Sequence, residues 1–184
     1  NGITLHCASK IVAIDSQQRC VRDAQGVETH YDTLVLATGS YAFVPPISGN
    51  TRPGCLVYRT LDDLDAIAAQ AKNATRGVVI GGGLLGLEAA NALRQLGLET
   101  HVVEFAPRLM AVQLDEGGAM MLQRKIEALG VQVHTRKETR EIIDGEQARH
   151  RLCFADGSFL ETDLLLFSAG IRPRDELAES AGLQ

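Results

Sequence analysis

The run Val78-Val79-Ile80-Gly81-Gly82-Gly83-Leu84-Leu85-Gly86-Leu87-Glu88-Ala89-Ala90 constrains this chain more than any other stretch. It reads as an apolar strand, a glycine turn and the start of a helix. Gly81 permits a tight turn, Gly83 lets the backbone approach a pyrophosphate, and Gly86 lets helix and strand pack closely. The N–H groups of the first helical turn, with Leu84 and Leu85 in it, then lie at the positive end of the helix dipole. The small residues continue with Ala90 and Gly97, where the helix must lie on the sheet and then stop. The next strand, Thr100-His101-Val102-Val103, ends at Glu104, whose carboxylate can accept both hydroxyls of an adenosine ribose. Together these residues point to a bound dinucleotide; the alternative is a glycine-rich βαβ turn that holds nothing.

A chain of 184 residues that is 45% hydrophobic can bury the core of one or two domains. Its net charge of −5 argues against a nucleic-acid surface, which needs a basic face to release counterions. No apolar run approaches the ~18–20 residues of a membrane span. The N-terminus, Asn1-Gly2-Ile3-Thr4-Leu5-His6, has neither an initiator Met nor a signal layout, so an internal piece of a longer chain is expected. Cys7, Cys20, Cys55 and Cys153 are scattered without metal-like spacing and read as small buried hydrophobes in a reducing cytoplasm. The five histidines show no paired ligand spacing, and no metal site is expected.

Residues 3 to 37 alternate short β-patterned runs with turns, as an antiparallel meander would, and close on the apolar strand Thr33-Leu34-Val35-Leu36-Ala37. The prolines of Phe43-Val44-Pro45-Pro46-Ile47-Ser48-Gly49 fix an extended crossing and mark a domain boundary. Thr60 is a fitting N-cap for a helix over 61–71. A second helix runs from Asp115 to Leu129, with Met120, Leu122, Ile126 and Leu129 as its apolar positions and Gly130 as its cap. The strand Val131-Gln132-Val133-His134 completes β-α-β-α-β and a parallel sheet. Asp144-Gly145 and Asp156-Gly157 signal hairpins, and Leu164-Leu165-Leu166-Phe167 is a further apolar strand.

Three strings together resemble the two-dinucleotide-binding-domain flavoprotein reductases: Ala37-Thr38-Gly39, the fingerprint running into Leu87-Glu88, and Ala169-Gly170-Ile171-Arg172-Pro173. Within that group, Tyr31 to Tyr41, Val57-Tyr58-Arg59-Thr60, Thr100 to Ala111 and Gly170 to Asp175 are similar to the large subunits of NAD(P)H-dependent nitrite reductases. The resemblance implies an α/β fold: a Rossmann-like NAD(P)-binding domain inserted in an incomplete FAD-binding domain, a parallel sheet with an antiparallel β-meander. Residues 1–47 would be part of the FAD domain, 48–170 the NAD(P)H domain, and 171–184 the start of the return.

The same resemblance implies NADH, or alternatively NADPH, as electron donor and FAD as acceptor, with sirohaem and an iron–sulfur cluster only in downstream domains. Gly81, Gly83, Leu84, Leu85, Gly86, Glu104, Ala169 and Gly170 would hold NADH; Ile11, Ala37, Thr38 and Gly39 would border FAD. Glu88 would orient the nicotinamide at the flavin junction, or else be a helix-surface glutamate. Glu104 disfavours the 2′-phosphate of NADPH, whereas Arg108 could accept it or could be paired locally. The implied function is electron input to a nitrite reductase, with downstream redox centres of the same polypeptide and a small reductase subunit as partners. Alternatives are a rubredoxin or ferredoxin reductase, an NADH oxidase, and a non-catalytic NADH sensor.

Overall fold

The computed structural model of the chain describes residues 2–183, which fall into two compact units. One comprises the chain up to Tyr41 and from Arg172 onward; the other runs from Ala42 to Ile171.

In the first unit, β1 (Ile11–Asp15), β2 (Cys20–Asp23) and β3 (Glu28–His30) form an antiparallel meander in that order. Its turns are closed by side-chain carboxylates. Asp15 accepts from the Gln17 and Gln18 N–H groups, and Asp23 from those of Gln25 and Val27. The run 33–37 is not a strand. It is irregular, and Val35 is 80% exposed. An apolar segment becomes a strand only where neighbouring strands take up its N–H and C=O groups, and no described strand pairs with this one.

The chain leaves this unit through β4 (Ser40–Ala42). The larger unit begins at Ala42, earlier than the prolines suggest, because Val44 and Ile47 already pack against its core. There follow β5 (Cys55–Val57), α1 (Leu61–Ala71), β6 (Arg76–Ile80), α2 (Leu84–Gln95), β7 (Glu99–Val103), α3 (Glu116–Ala128) and β8 (Val131–His134). Then come β9 (Thr139–Asp144), β10 (His150–Phe154), β11 (Phe159–Thr162), β12 (Leu164–Phe167) and, on the return, β13 (Ile171–Pro173) and α4 (Glu176–Ser180).

A parallel sheet in the order β5-β12-β6-β7-β8 is the centre of the larger unit. Its alternate residues serve two cores. Val79, Val102, Leu164 and Leu166 face the helices, where Ala89, Ala90 and Leu93 of α2 meet them. Val78, Ile80, Val103, Leu165 and Phe167 face the antiparallel meander β11-β10-β9, through Ile142, Leu152 and Phe154. Burial on both faces explains why β12 is apolar at every position. Each such side chain contributes roughly 1.5–3 kcal/mol.

The helix ends follow local chemistry. Thr60 and Asp63 form a reciprocal capping box on α1, and Asp115 caps α3 by accepting the Gly118 N–H. In α3, Ala119 is buried and Leu122 and Ile126 pack on the core, but Met120 and Leu129 are exposed. The helical period puts 119, 122 and 126 on one stripe and leaves 120 off it; Leu129 falls on that stripe by spacing but is the C-cap, past the last helical residue. The thiols also divide: all four are free, Cys20 is buried, Cys55 and Cys153 are half-buried, and Cys7 is exposed outside any strand.

Candidate functional site

At the C-terminal ends of the parallel strands lies a cavity of about 770 Å³ within the larger unit. This is where an open α/β sheet leaves a crevice between adjacent βα connections. Of the residues expected to hold a dinucleotide, Gly81, Gly83, Leu84, Leu85, Glu104, Ala169 and Gly170 line it.

The glycine turn divides its labour. Gly81 has φ +122°, and a Cβ there would stand 2.2 Å from the Ser168 carbonyl oxygen. Gly86 does not line the cavity. It supports the turn from behind, since its own Cβ would fall 1.9 Å from the Gly81 carbonyl oxygen. Gly83 is different: its φ is ordinary and a Cβ would meet no protein atom within 4 Å. It is the N-cap of α2 and provides no side-chain acceptor, so the first-turn N–H groups are left for an anion at the cavity wall.

Glu104 directly follows β7, with both carboxylate oxygens held. Oε2 accepts the Gly82 N–H and Oε1 the Ala106 N–H, each at 2.6 Å. These bonds fix the carboxylate beside the turn and leave lone pairs for a diol. Arg108 is turned away. Its Nε donates to the Leu114 carbonyl and an NH2 group to the Ala111 carbonyl, at 3.3 and 3.2 Å. Lys137 borders the cavity, but its ammonium is bound by Asp156 and Ser158.

Glu88 lies one helical turn beyond Leu84, exposed and outside the cavity lining. Ile11, Ala37, Thr38 and Gly39 belong to the other unit. The Thr38 hydroxyl donates to the Arg174 carbonyl.

Two features escaped the sequence. Pro45, Pro46 and Ile47 form part of the cavity wall, although the prolines read only as a crossing. The loop after Glu104 forms another part through Phe105, Met110 and Val112. A loop this apolar, directly after a strand end, was the available signal. A third cluster lies elsewhere on β7 and β8. His101 Nδ1 is 3.0 Å from His134 Nε2, with Glu99 Oε1 3.3 Å from the His101 Nε2 but not aligned for a hydrogen bond. Burial lowers the pKa of both imidazoles, aided for His101 by His134 and for His134 by Lys137. No described group of three or more metal-ligating side chains converges.

The site can therefore bind an anion at a helix end, a diol at Glu104 and flat apolar groups between its walls. The chain matches the family model described as pyridine nucleotide-disulphide oxidoreductase over residues 1–184. It is 67% identical to the nitrite reductase [NAD(P)H] large subunit of Klebsiella oxytoca over all of this chain and 19% of that protein. Among solved structures it is similar to the ferredoxin reductase for the CYP199A2 system from Rhodopseudomonas palustris. That match has 32% identity and a TM-score of 0.89, and covers 96% of this chain and 44% of the other. The water-forming NADH oxidase from Lactobacillus brevis bound to NADH matches at 26% identity with a TM-score of 0.82, covering 92% and 38%. The chain spans about a fifth of the length of the nitrite reductase large subunits it matches.

Proposed function

The chain belongs to the pyridine nucleotide-disulphide oxidoreductase family, and from that premise we propose that it is the NADH-to-FAD electron-input module of a nitrite reductase large subunit. One observation carries the nucleotide half of this reading: an uncapped helix N-terminus at Gly83 and a fixed carboxylate at Glu104 border the same cavity. The pyrophosphate would lie along Gly83, Leu84 and Leu85, where a Cβ-free backbone permits close approach. The adenosine ribose would be held by Glu104, and Ala169 and Gly170 would flank the dinucleotide at the end of β12.

NADH is favoured over NADPH by charge. Glu104 would repel a 2′-phosphate, and Arg108 and Lys137 are already bound to other groups. Glu88, exposed on α2 and outside the cavity lining, is proposed to orient the nicotinamide carboxamide on the ground of the family resemblance. Ile11, Ala37, Thr38 and Gly39 are proposed to border FAD on the same ground. When bound, NADH supplies a hydride and FAD receives it. The chain's own part is to fix the donor, exclude water with the apolar walls and present the nicotinamide end.

The wider reading is that sirohaem and an iron–sulfur cluster of the same polypeptide receive the electrons, with a small subunit as partner, in the cytoplasm. Among the described residues no helix is long and apolar enough to cross a membrane. A ferredoxin reductase is the second reading, favoured by the likeness to the Rhodopseudomonas palustris structure; it changes the acceptor and leaves the NADH site as it is. Membership of an oxidoreductase family weighs against a pure NADH sensor.

The test is anaerobic titration of the full-length purified protein with NADH. Flavin absorbance should be bleached stoichiometrically, and added nitrite should restore it. A protein that carries no flavin defeats the electron-input reading. One that is bleached by NADH but reoxidised only by a ferredoxin or rubredoxin supports the second reading.

A further inference from the structure

Between Glu104 and α3 the chain runs through a loop that forms one wall of the cavity; its start is pinned by the Arg136 N–H, which donates to the Ala106 carbonyl at 3.0 Å. Leu109 anchors it from inside, fully buried against the helix-side core. Met110 ties it to the glycine turn, its N–H donating to the Gly82 carbonyl at 3.0 Å. Met110 itself adopts φ +50°, a left-handed conformation that an L side chain with no local polar partner disfavours by ~1 kcal/mol or more. Beyond it, Ala111 and Val112 continue the wall, and Val112 is 93% exposed. A strained, apolar, outward-facing segment of this kind would not keep one shape by packing alone.

Arg108 supplies what packing lacks. Its guanidinium fork spans the loop from inside, donating to the Ala111 carbonyl on the cavity wall and to the Leu114 carbonyl just before the N-cap of α3. Met110 C=O accepts from the N–H groups of Gln113 and Leu114, so the loop closes on itself around the same residues. The turn, Glu104 and the wall thus form one connected set. Gly82 N–H donates to Glu104, Gly82 C=O accepts from Met110, and Arg108 fixes the residue that follows Met110.

We propose that Arg108 is a positioning residue for the adenosine end of the dinucleotide, acting by clamping the 109–114 wall against the glycine turn and not by accepting a phosphate. The proposal rests on the NADH-binding reading above and adds a role to a residue outside the cavity lining. A planar guanidinium reaches two divergent carbonyls from separate nitrogens in a rigid fork; the three donors of an ammonium share one nitrogen on a flexible stem. Because the clamp shapes a wall that both coenzymes share, its loss should weaken NADH and NADPH in the same proportion. A phosphate acceptor would weaken NADPH alone.

The experiment uses the full-length protein with Arg108→Ala and Arg108→Lys. Calorimetry measures Kd for NADH, NADPH and ADP-ribose, and flavin bleaching gives KM and kcat. Loss of two charged donors to carbonyls is expected to raise Kd for ADP-ribose and NADH about tenfold in Arg108→Ala. The NADH:NADPH ratio should hold, and KM should rise while kcat at saturation holds. Arg108→Lys should show a smaller loss in the same direction, and it is the variant to read if Arg108→Ala does not fold. Unchanged Kd values, or a loss confined to NADPH, overturn the clamp. A wild-type protein that binds neither NADH nor ADP-ribose instead defeats the underlying reading, which separates the two failures.

Discussion

The Glu104 carboxylate accepts the Gly82 N–H at 2.6 Å, so the end of β7 and the glycine turn after β6 are one hydrogen-bonded unit. A second oxygen of the same carboxylate takes the Ala106 N–H. Residues far apart in the chain thereby set the distance between an anion site and a diol site. On the proposed reading, that distance is the measure a dinucleotide must match.

Replacing Glu104 removes the diol acceptor and strands both amides. Glu104→Ala is expected to weaken NADH binding by about ten- to a hundredfold, the cost of charge-assisted hydrogen bonds to two hydroxyls. It should not create a good NADPH site, because Arg108 stays on the Ala111 and Leu114 carbonyls. Calorimetry with both coenzymes checks this. Equal NADH affinity in variant and parent would remove Glu104 from the site.

Gly83 and Gly86 should separate binding from folding. A Cβ at Gly83 enters open space at an ordinary φ, so Gly83→Ala is expected to keep its Tm and lose NADH affinity. Gly86→Ala pushes a methyl into the Gly81 carbonyl and should lower Tm by several degrees, or prevent folding. Thermal melts without ligand and NADH titrations of both variants decide it. A Tm loss at Gly83 would mean that the residue serves the fold.

Leu93 of α2 is fully buried and packs against Gly77 of β6 and the helix-side core. Leu93→Ala should cost about 2–5 kcal/mol, and NADH binding at low temperature should survive because the cavity lies at the opposite end of the helix. Urea unfolding measures the first and calorimetry the second. A loss below ~1 kcal/mol would show that the core closes over the gap.

Stability should fall as the pH drops below neutral. Burial holds the pKa values of His101, His134 and His150 below the ordinary histidine value. The unfolded chain therefore takes up protons near pH ~6.5 that the folded chain refuses. The stabilisation is complete above that pH and is lost as pH falls through the lowered folded values. His101→Phe should make the decline shallower; an unchanged slope of urea midpoint against pH would clear the Glu99-His101-His134 cluster. Glu161 acts in a lower window. The Glu146 and Gln147 N–H groups, with Arg151, bring its pKa down to about 2, so its contribution is present above the ordinary carboxylate range and goes only in stronger acid.

Much of the larger unit was legible from residue order. The periodicity of 78–90, the Thr60 cap and the Asp115 cap act within a few residues of themselves, and the structure has those helices where the pattern puts them. The cavity was less so. Seven of the eight expected dinucleotide contacts do share its wall, but Gly86 backs the turn, and the 109–114 wall and the proline wall went unseen. Their contribution depends on which distant segment faces them.

Two equally apolar runs show where the sequence stops deciding. Leu164–Phe167 and residues 33–37 carry the same strand signal, and each leads into small residues. The first lies between β5 and β6, with a ladder on each edge and a core on each face, and is fully buried. The second finds no ladder and is irregular and largely exposed. Local chemistry determined the glycine turn, the caps and the helical stripes, because their partners are near neighbours. Tertiary structure alone decided which apolar run became a strand and where Arg108 pointed, because those outcomes belong to hydrogen-bond partners brought together only by the fold.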